Sequence, residues 1–128
     1  AELARLCGVT VGEVMSDRLG SAYRLSEKYG VTVLAKSADT FAVDGGKVYL
    51  CTEGTTALAK GGSGDMLAGI VSSYVAQGCN TLDAAALGSF TLGSTALLAG
   101  YKRSERGIIA RDVIDAFPRF LYDLENAD

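Results

Sequence analysis

The run Lys60-Gly61-Gly62-Ser63-Gly64-Asp65 leads straight into an apolar segment, Met66-Leu67-Ala68-Gly69-Ile70. Glycine adopts backbone conformations closed to other residues and lets a ligand approach the main chain. A helix that begins at such a turn exposes free N–H groups and the positive end of its dipole, which together make an anion site. Gly61, Gly62, Ser63 and Gly64 are therefore candidates to bind phosphate. Asp65 falls in the first helical turn, where it either acts as a base toward a hydroxyl held near that phosphate or merely caps the helix. Neither the GxxxxGK[ST] loop nor the GxGxxG dinucleotide fingerprint is present.

A second candidate is Lys36-Ser37-Ala38-Asp39-Thr40, at the carboxyl end of a predicted strand, where open α/β sheets bind ligands. Lys36 would neutralise phosphate and Thr40 would donate a hydroxyl hydrogen bond; the plainer reading is a solvated lysine before an Asx-type turn at Asp39. Lys60 either reaches the phosphates or points to solvent, and Glu53-Gly54-Thr55-Thr56 are weaker candidates for the same site. Asp112, Asp115, Asp123 and Glu125 read as a solvated helix face. With no histidine in the chain, proton transfer near neutral pH falls to Asp, Glu, Lys, Tyr or Cys.

The elements that must carry these residues follow from periodicity and punctuation. Thr10 and Glu13 form a capping-box pattern that opens a predicted helix over 10–29, closed by Gly30. Val11, Met15, Leu19, Ala22, Leu25 and Tyr29 have the spacing of its buried stripe. Residues 31–35 read as a buried parallel strand. Strands over 40–43 and 47–52 flank Asp44-Gly45-Gly46, whose Asp-Gly pair suits a tight hairpin. Residues 66–77 are apolar almost all round and predict a buried helix, and 81–100 and 110–126 predict two more. So small a sheet cannot cover such apolar helices, so the chain is expected to belong to a larger fold or to bury surface against a partner.

Composition bounds the rest. The 128 residues, 48% of them hydrophobic, suffice for one unit with a substantial core. A net charge of −3 offers no broad cationic surface, which argues against nucleic acid and anionic membranes as partners. Residues 84–100 carry no charge, but their glycines, serines and threonines predict a close-packed internal helix rather than a membrane span. Cys7, Cys51 and Cys79 are odd in number and widely separated, so free thiols in a reducing, cytoplasmic setting are expected. The amino-terminal Ala1-Glu2-Leu3-Ala4-Arg5 lacks the pattern of an export signal.

The strand ending in Lys-x-Ala-Asp-Thr, the hairpin, and the run from Ala57 to Ile70 together resemble the carboxyl-terminal half of the ADP/ATP-dependent NAD(P)H-hydrate dehydratases, a branch of the ribokinase-like superfamily. The likeness extends from residues 1–6 to Ile109-Ala110-Arg111-Asp112-Val113-Ile114 and covers essentially the whole chain. It implies a three-layer α/β architecture of which residues 1–128 form one carboxyl-terminal portion. It also implies removal of water from the hydrated S form of NADH or NADPH, with ADP or ATP as phosphoryl donor and Mg²⁺. By that resemblance Lys36, Ser37, Ala38, Asp39, Thr40 and Gly64 contact nucleotide, Gly61 to Gly64 offer N–H groups to phosphate, and Asp65 faces the substrate hydroxyl. Ser37 stands where the family usually has Gly, and Thr55 where it often has Asn. Family members are about twice as long, so the resemblance implies a separate amino-terminal half, and association with that half or as a homo-oligomer. A superfamily kinase, whose product stays phosphorylated, and a non-catalytic nucleotide-binding fragment are the competing readings.

Overall fold

The computed structural model describes residues 1–127. Three short helices open the chain: α1 (Glu2–Cys7), α2 (Val11–Ser16) and α3 (Arg18–Tyr29). The capping box forms as expected, with Thr10 accepting from the Glu13 N–H and the Glu13 carboxylate accepting from the Thr10 N–H. The single helix expected over 10–29 is broken at Asp17. There the backbone leaves helical geometry (φ −147°, ψ 73°), and the side chain caps the next helix by accepting from the Gly20 N–H at 2.9 Å. Aspartate offers the backbone this competing bond, which helical periodicity does not register. The expected stripe is correct only in part: Ala22 and Leu25 are buried, whereas Val11, Met15 and Tyr29 are each more than half exposed. Rotation at the break takes Val11 and Met15 off the shared face.

The sheet consists of β1 (Val33–Ala35), β2 (Thr40–Asp44) and β3 (Lys47–Cys51) in that order, antiparallel throughout. The parallel partner expected for β1 is not among the described residues. Its neighbour β2 follows after only the four residues 36–39, and a parallel pair needs a crossover of a dozen or more. The β2–β3 hairpin turns at Gly45-Gly46 as its sequence suggests, with Asp44 opposite Lys47 and Gly45 at φ 53°.

Alternation along the strands sends side chains to two covered faces. Val33, Ala35 and Val43 pack with Ala22 and Leu25 of α3 on one face. Ala42, with Leu34, packs with Leu82 and Ala85 of α5 (Thr81–Gly100) on the other. Beyond α5 lie α4 (Ser63–Ala76) and α6 (Ala110–Glu125), joined in a core of Ala57, Leu67, Leu92, Ala96, Ala99, Ile108 and Val113. Full burial of each Leu or Ile contributes about 1.5–3 kcal/mol, which makes this core a firm base for the glycine turn.

Helix α5 is long and apolar enough to cross a membrane by length and composition, yet 61% of that window is buried inside the fold. Helix α4 departs from expectation, since Leu67 is its one buried residue while Ala68, Val75 and Ala76 face outward. It packs on α5 along one side, and no described element covers the other. Asp115, Asp123 and Glu125 of α6 are exposed as expected, Asp115 and Asp123 pairing with Arg111 and Arg119 one turn away, whereas Asp112 is half-buried, accepting from the Ile109 N–H and pairing with Arg103.

Candidate anion site at the glycine turn

Gly62 opens α4 from the left-handed region, with φ 90°, a conformation in which a side chain is strained. It is the one glycine of the turn with positive φ. Ser63 folds its hydroxyl back onto the Lys60 carbonyl at 3.1 Å. The helical ladder starts only at Met66, whose N–H donates to the Gly62 carbonyl. The N–H groups of Gly64 and Asp65 donate to no carbonyl among the described residues, as expected in a first helical turn. No side chain caps them. Asp65 is exposed and takes no capping bond, so its carboxylate stands free beside the N–H pair.

The loop after β1 reaches the same place. A methyl group built on Gly64 would come within 3.1 Å of the Lys36 Nζ, so the ammonium lies over the glycine turn. Two segments about thirty residues apart in sequence thus supply one cradle of two backbone N–H groups and a cation. The 36–40 loop is shaped from within and from outside. Thr40 donates its hydroxyl to the Ser37 carbonyl and accepts from the Ser37 N–H, closing the turn that sequence assigned to Asp39. Arg18 of α3 donates to the carbonyls of Ala35 (3.4 Å) and Asp39 (3.0 Å) and lies 5.3 Å from the Phe41 ring.

Lys60 is placed differently from its sequence neighbours. Its ammonium donates to the carbonyls of Glu105 (2.9 Å), Arg106 (3.3 Å) and Ile108. A lysine has three donors, and all three are engaged away from the cradle. Thr55 accepts from the Ala57 N–H, and Thr56 donates to the Glu105 carboxylate. Hydrogen bonds from Thr56 and Thr55, with a smaller contribution from the Lys60 charge, hold the Glu105 carboxyl below its ordinary value.

Sequence reasoning passed over Arg18, Glu105 and Gly93. The first two act on backbone carbonyls and on a hydroxyl far away in sequence, which leaves no local pattern. At Gly93 a side chain would collide with the backbone of Glu53, so glycine there lets α5 meet the loop that leads to the site. Two cavities, of about 550 and 630 Å³, open along β3 and the start of α5. None of the cradle residues lines either one, and their linings bring together no set of convergent cationic donors. The open turn is therefore the candidate site.

Among the described residues no group of three or more His, Cys, Asp or Glu side chains forms a metal cage. Asp65, a lone carboxylate beside the turn, would hold Mg²⁺ only together with the phosphate oxygens of a bound nucleotide.

Comparison with known proteins decides the relationship. Residues 1–119 match the family profile described as NAD(P)H-hydrate dehydratase. This chain belongs to that family. A bifunctional NAD(P)H-hydrate repair enzyme, Nnr, of Vibrio cholerae is 38% identical over 88% of this chain and 23% of its own length. An ADP-dependent (S)-NAD(P)H-hydrate dehydratase of Haloterrigena turkmenica is 37% identical over 87% of this chain and 42% of its own. The ADP/ATP-dependent dehydratase of Bacillus subtilis, co-crystallised with ATP and Mg²⁺, superimposes with a TM-score of 0.85 at 27% identity, covering 94% of this chain and 44% of that one. The chain thus spans about a quarter of the bifunctional relatives it matches and less than half of the single-activity ones. Within that span its α/β architecture matches that of the solved dehydratase.

Proposed function

We propose that the protein carrying this chain removes water from the hydrated S form of NADH or NADPH in a reaction driven by ADP or ATP. One observation carries the reading: the Lys36 ammonium lies over Gly64, beside the free N–H groups of Gly64 and Asp65 and the free Asp65 carboxylate. Lys36 and the two N–H groups hold phosphate oxygens in place and offset their charge. Asp65, exposed at the same turn, takes the proton of the substrate hydroxyl as its oxygen attacks the donor's terminal phosphorus, whose bond to the bridging oxygen breaks to release AMP from ADP or ADP from ATP. Expulsion of inorganic phosphate, with loss of the neighbouring proton, then restores the double bond. Mg²⁺, when bound with the nucleotide, supplies further charge neutralisation at the phosphates.

The family match and the relatives' printed activities support this reading. Association, with an amino-terminal half or as a homo-oligomer, is proposed with it, because Leu87, Phe90 and Leu97 leave an apolar stripe on α5 each at least 40% exposed. A cytoplasmic setting is proposed from the three free cysteines.

The test uses the full protein carrying this chain and follows the return of NADH from its hydrate with ADP or ATP. Asp65→Asn should lower kcat by about 10²–10⁴-fold while nucleotide still binds. An unchanged rate would remove Asp65 from the reaction, and a stable phosphate ester as the final product would replace the dehydratase with a kinase.

A further inference from the structure

Lys60 and Thr56 stand at the two ends of the loop that delivers the chain to the glycine turn, and both are tied to the segment 105–108. Lys60 donates to the carbonyls of Glu105, Arg106 and Ile108, and Thr56 to the Glu105 carboxylate. That segment is anchored at one end, since Ile108 is 1% exposed in the α4–α5–α6 core while residues 105–107 are exposed. The turn beyond needs such an anchor. Glycine loses more conformational freedom on ordering than any other residue, and Gly61, Gly62 and Gly64 lie together there.

We propose that Lys60 and Thr56 are positioning residues which latch the 56–60 loop to the 105–108 segment that Ile108 anchors in the core, holding the glycine turn ready for an anion without touching phosphate themselves. The latch rests on the anion-cradle reading of the turn. Its effect is on the population of the competent conformation. Apparent affinity falls in proportion to the fraction of time the turn is correctly formed, while the chemistry of the occupied site is unaltered. A phosphate ligand at position 60 would behave otherwise, since removing its charge would flatten the dependence of binding on salt.

The experiment compares Lys60→Met, Thr56→Val, their combination and Lys60→Arg in the full protein. Amide hydrogen exchange at Leu58, Ala59 and Met66, whose N–H groups are hydrogen-bonded within the loop and the turn, is measured without nucleotide, and ADP binding is measured at two ionic strengths. A latch gives faster exchange at these three amides in both single variants. ADP binding falls about 10-fold in each with the salt dependence preserved, and kcat at saturation stays close to wild type. The double variant should be little worse than the weaker single one, because both break one device. Lys60→Arg, which keeps donors for the carbonyls, should recover most of the loss. Unchanged exchange at Leu58, Ala59 and Met66 in either single variant would overturn the latch. So would an affinity loss confined to Lys60→Met with a flattened salt dependence. If the wild-type protein bound no ADP, the nucleotide reading would fail and the exchange result alone would decide the latch.

Discussion

The Lys36 ammonium lies over Gly64, close enough that a single methyl group added to the glycine would stand 3.1 Å from the nitrogen. Lys36→Met removes the one cation of the cradle and leaves the backbone N–H groups in place. ADP binding is expected to weaken about 10-fold or more and to lose part of its salt dependence. Titration at low and high ionic strength checks both. Gly64→Ala should reduce affinity in the same direction, since the ammonium must shift by a few tenths of an ångström to make room.

Arg18 acts on the same lysine at one remove. Its guanidinium bridges the carbonyls of Ala35 and Asp39, the two ends of the loop that carries Lys36. Arg18→Ala should cost about 1–2 kcal/mol in thermal or urea unfolding, through lost charged hydrogen bonds and lost contact with Phe41. ADP affinity should fall along with it. Wild-type affinity in Arg18→Ala would show that the loop holds its own shape through Thr40.

Gly93→Ala places a Cβ against the backbone of Glu53, which has no flexible side-chain end to yield. Separation of α5 from the 53–55 loop should destabilise the fold by about 1–3 kcal/mol. A denaturant midpoint lowered at constant slope is the expected signature.

The pH dependence of the latch follows from Glu105. Its carboxyl titrates below the ordinary glutamate value because Thr56 and Thr55 donate to it. A depressed folded value means a contribution that is complete above the unfolded value and is lost as pH falls through the folded one. The protection of the Leu58, Ala59 and Met66 amides, taken relative to the intrinsic exchange rate at the same pH, should therefore fall on acidification below the ordinary carboxylate range. Glu13 shifts in the same direction through its capping box, so the comparison must isolate Glu105. Glu105→Gln should abolish that loss of protection at these three amides alone, and a retained acid response there would place its source elsewhere.

Much of the site was legible because its chemistry is local. The glycines, Asp65 and the helix that follows are contiguous, and a helix start exposes N–H groups wherever it occurs. Thr10 with Glu13, Asp44 with Gly45, and the uninterrupted apolar run over 81–100 likewise announce a cap, a hairpin and a core helix through neighbours in sequence. Other features depend on which segments fold together. Whether Lys36 or Lys60 meets the turn could not be read from two lysines of like type near two loops. The tertiary structure brings Lys36 across from β1 and commits Lys60 to the carbonyls of Glu105, Arg106 and Ile108. The direction of β1 was misread because an apolar strand looks the same in either orientation, and only the short link to β2 dictates the antiparallel pairing. Sequence alone marked a glycine turn, a helix start and a carboxylate as a candidate anion site; packing decided which cation lies beside it, because charge acts across space at a few ångströms while sequence records only distance along the chain.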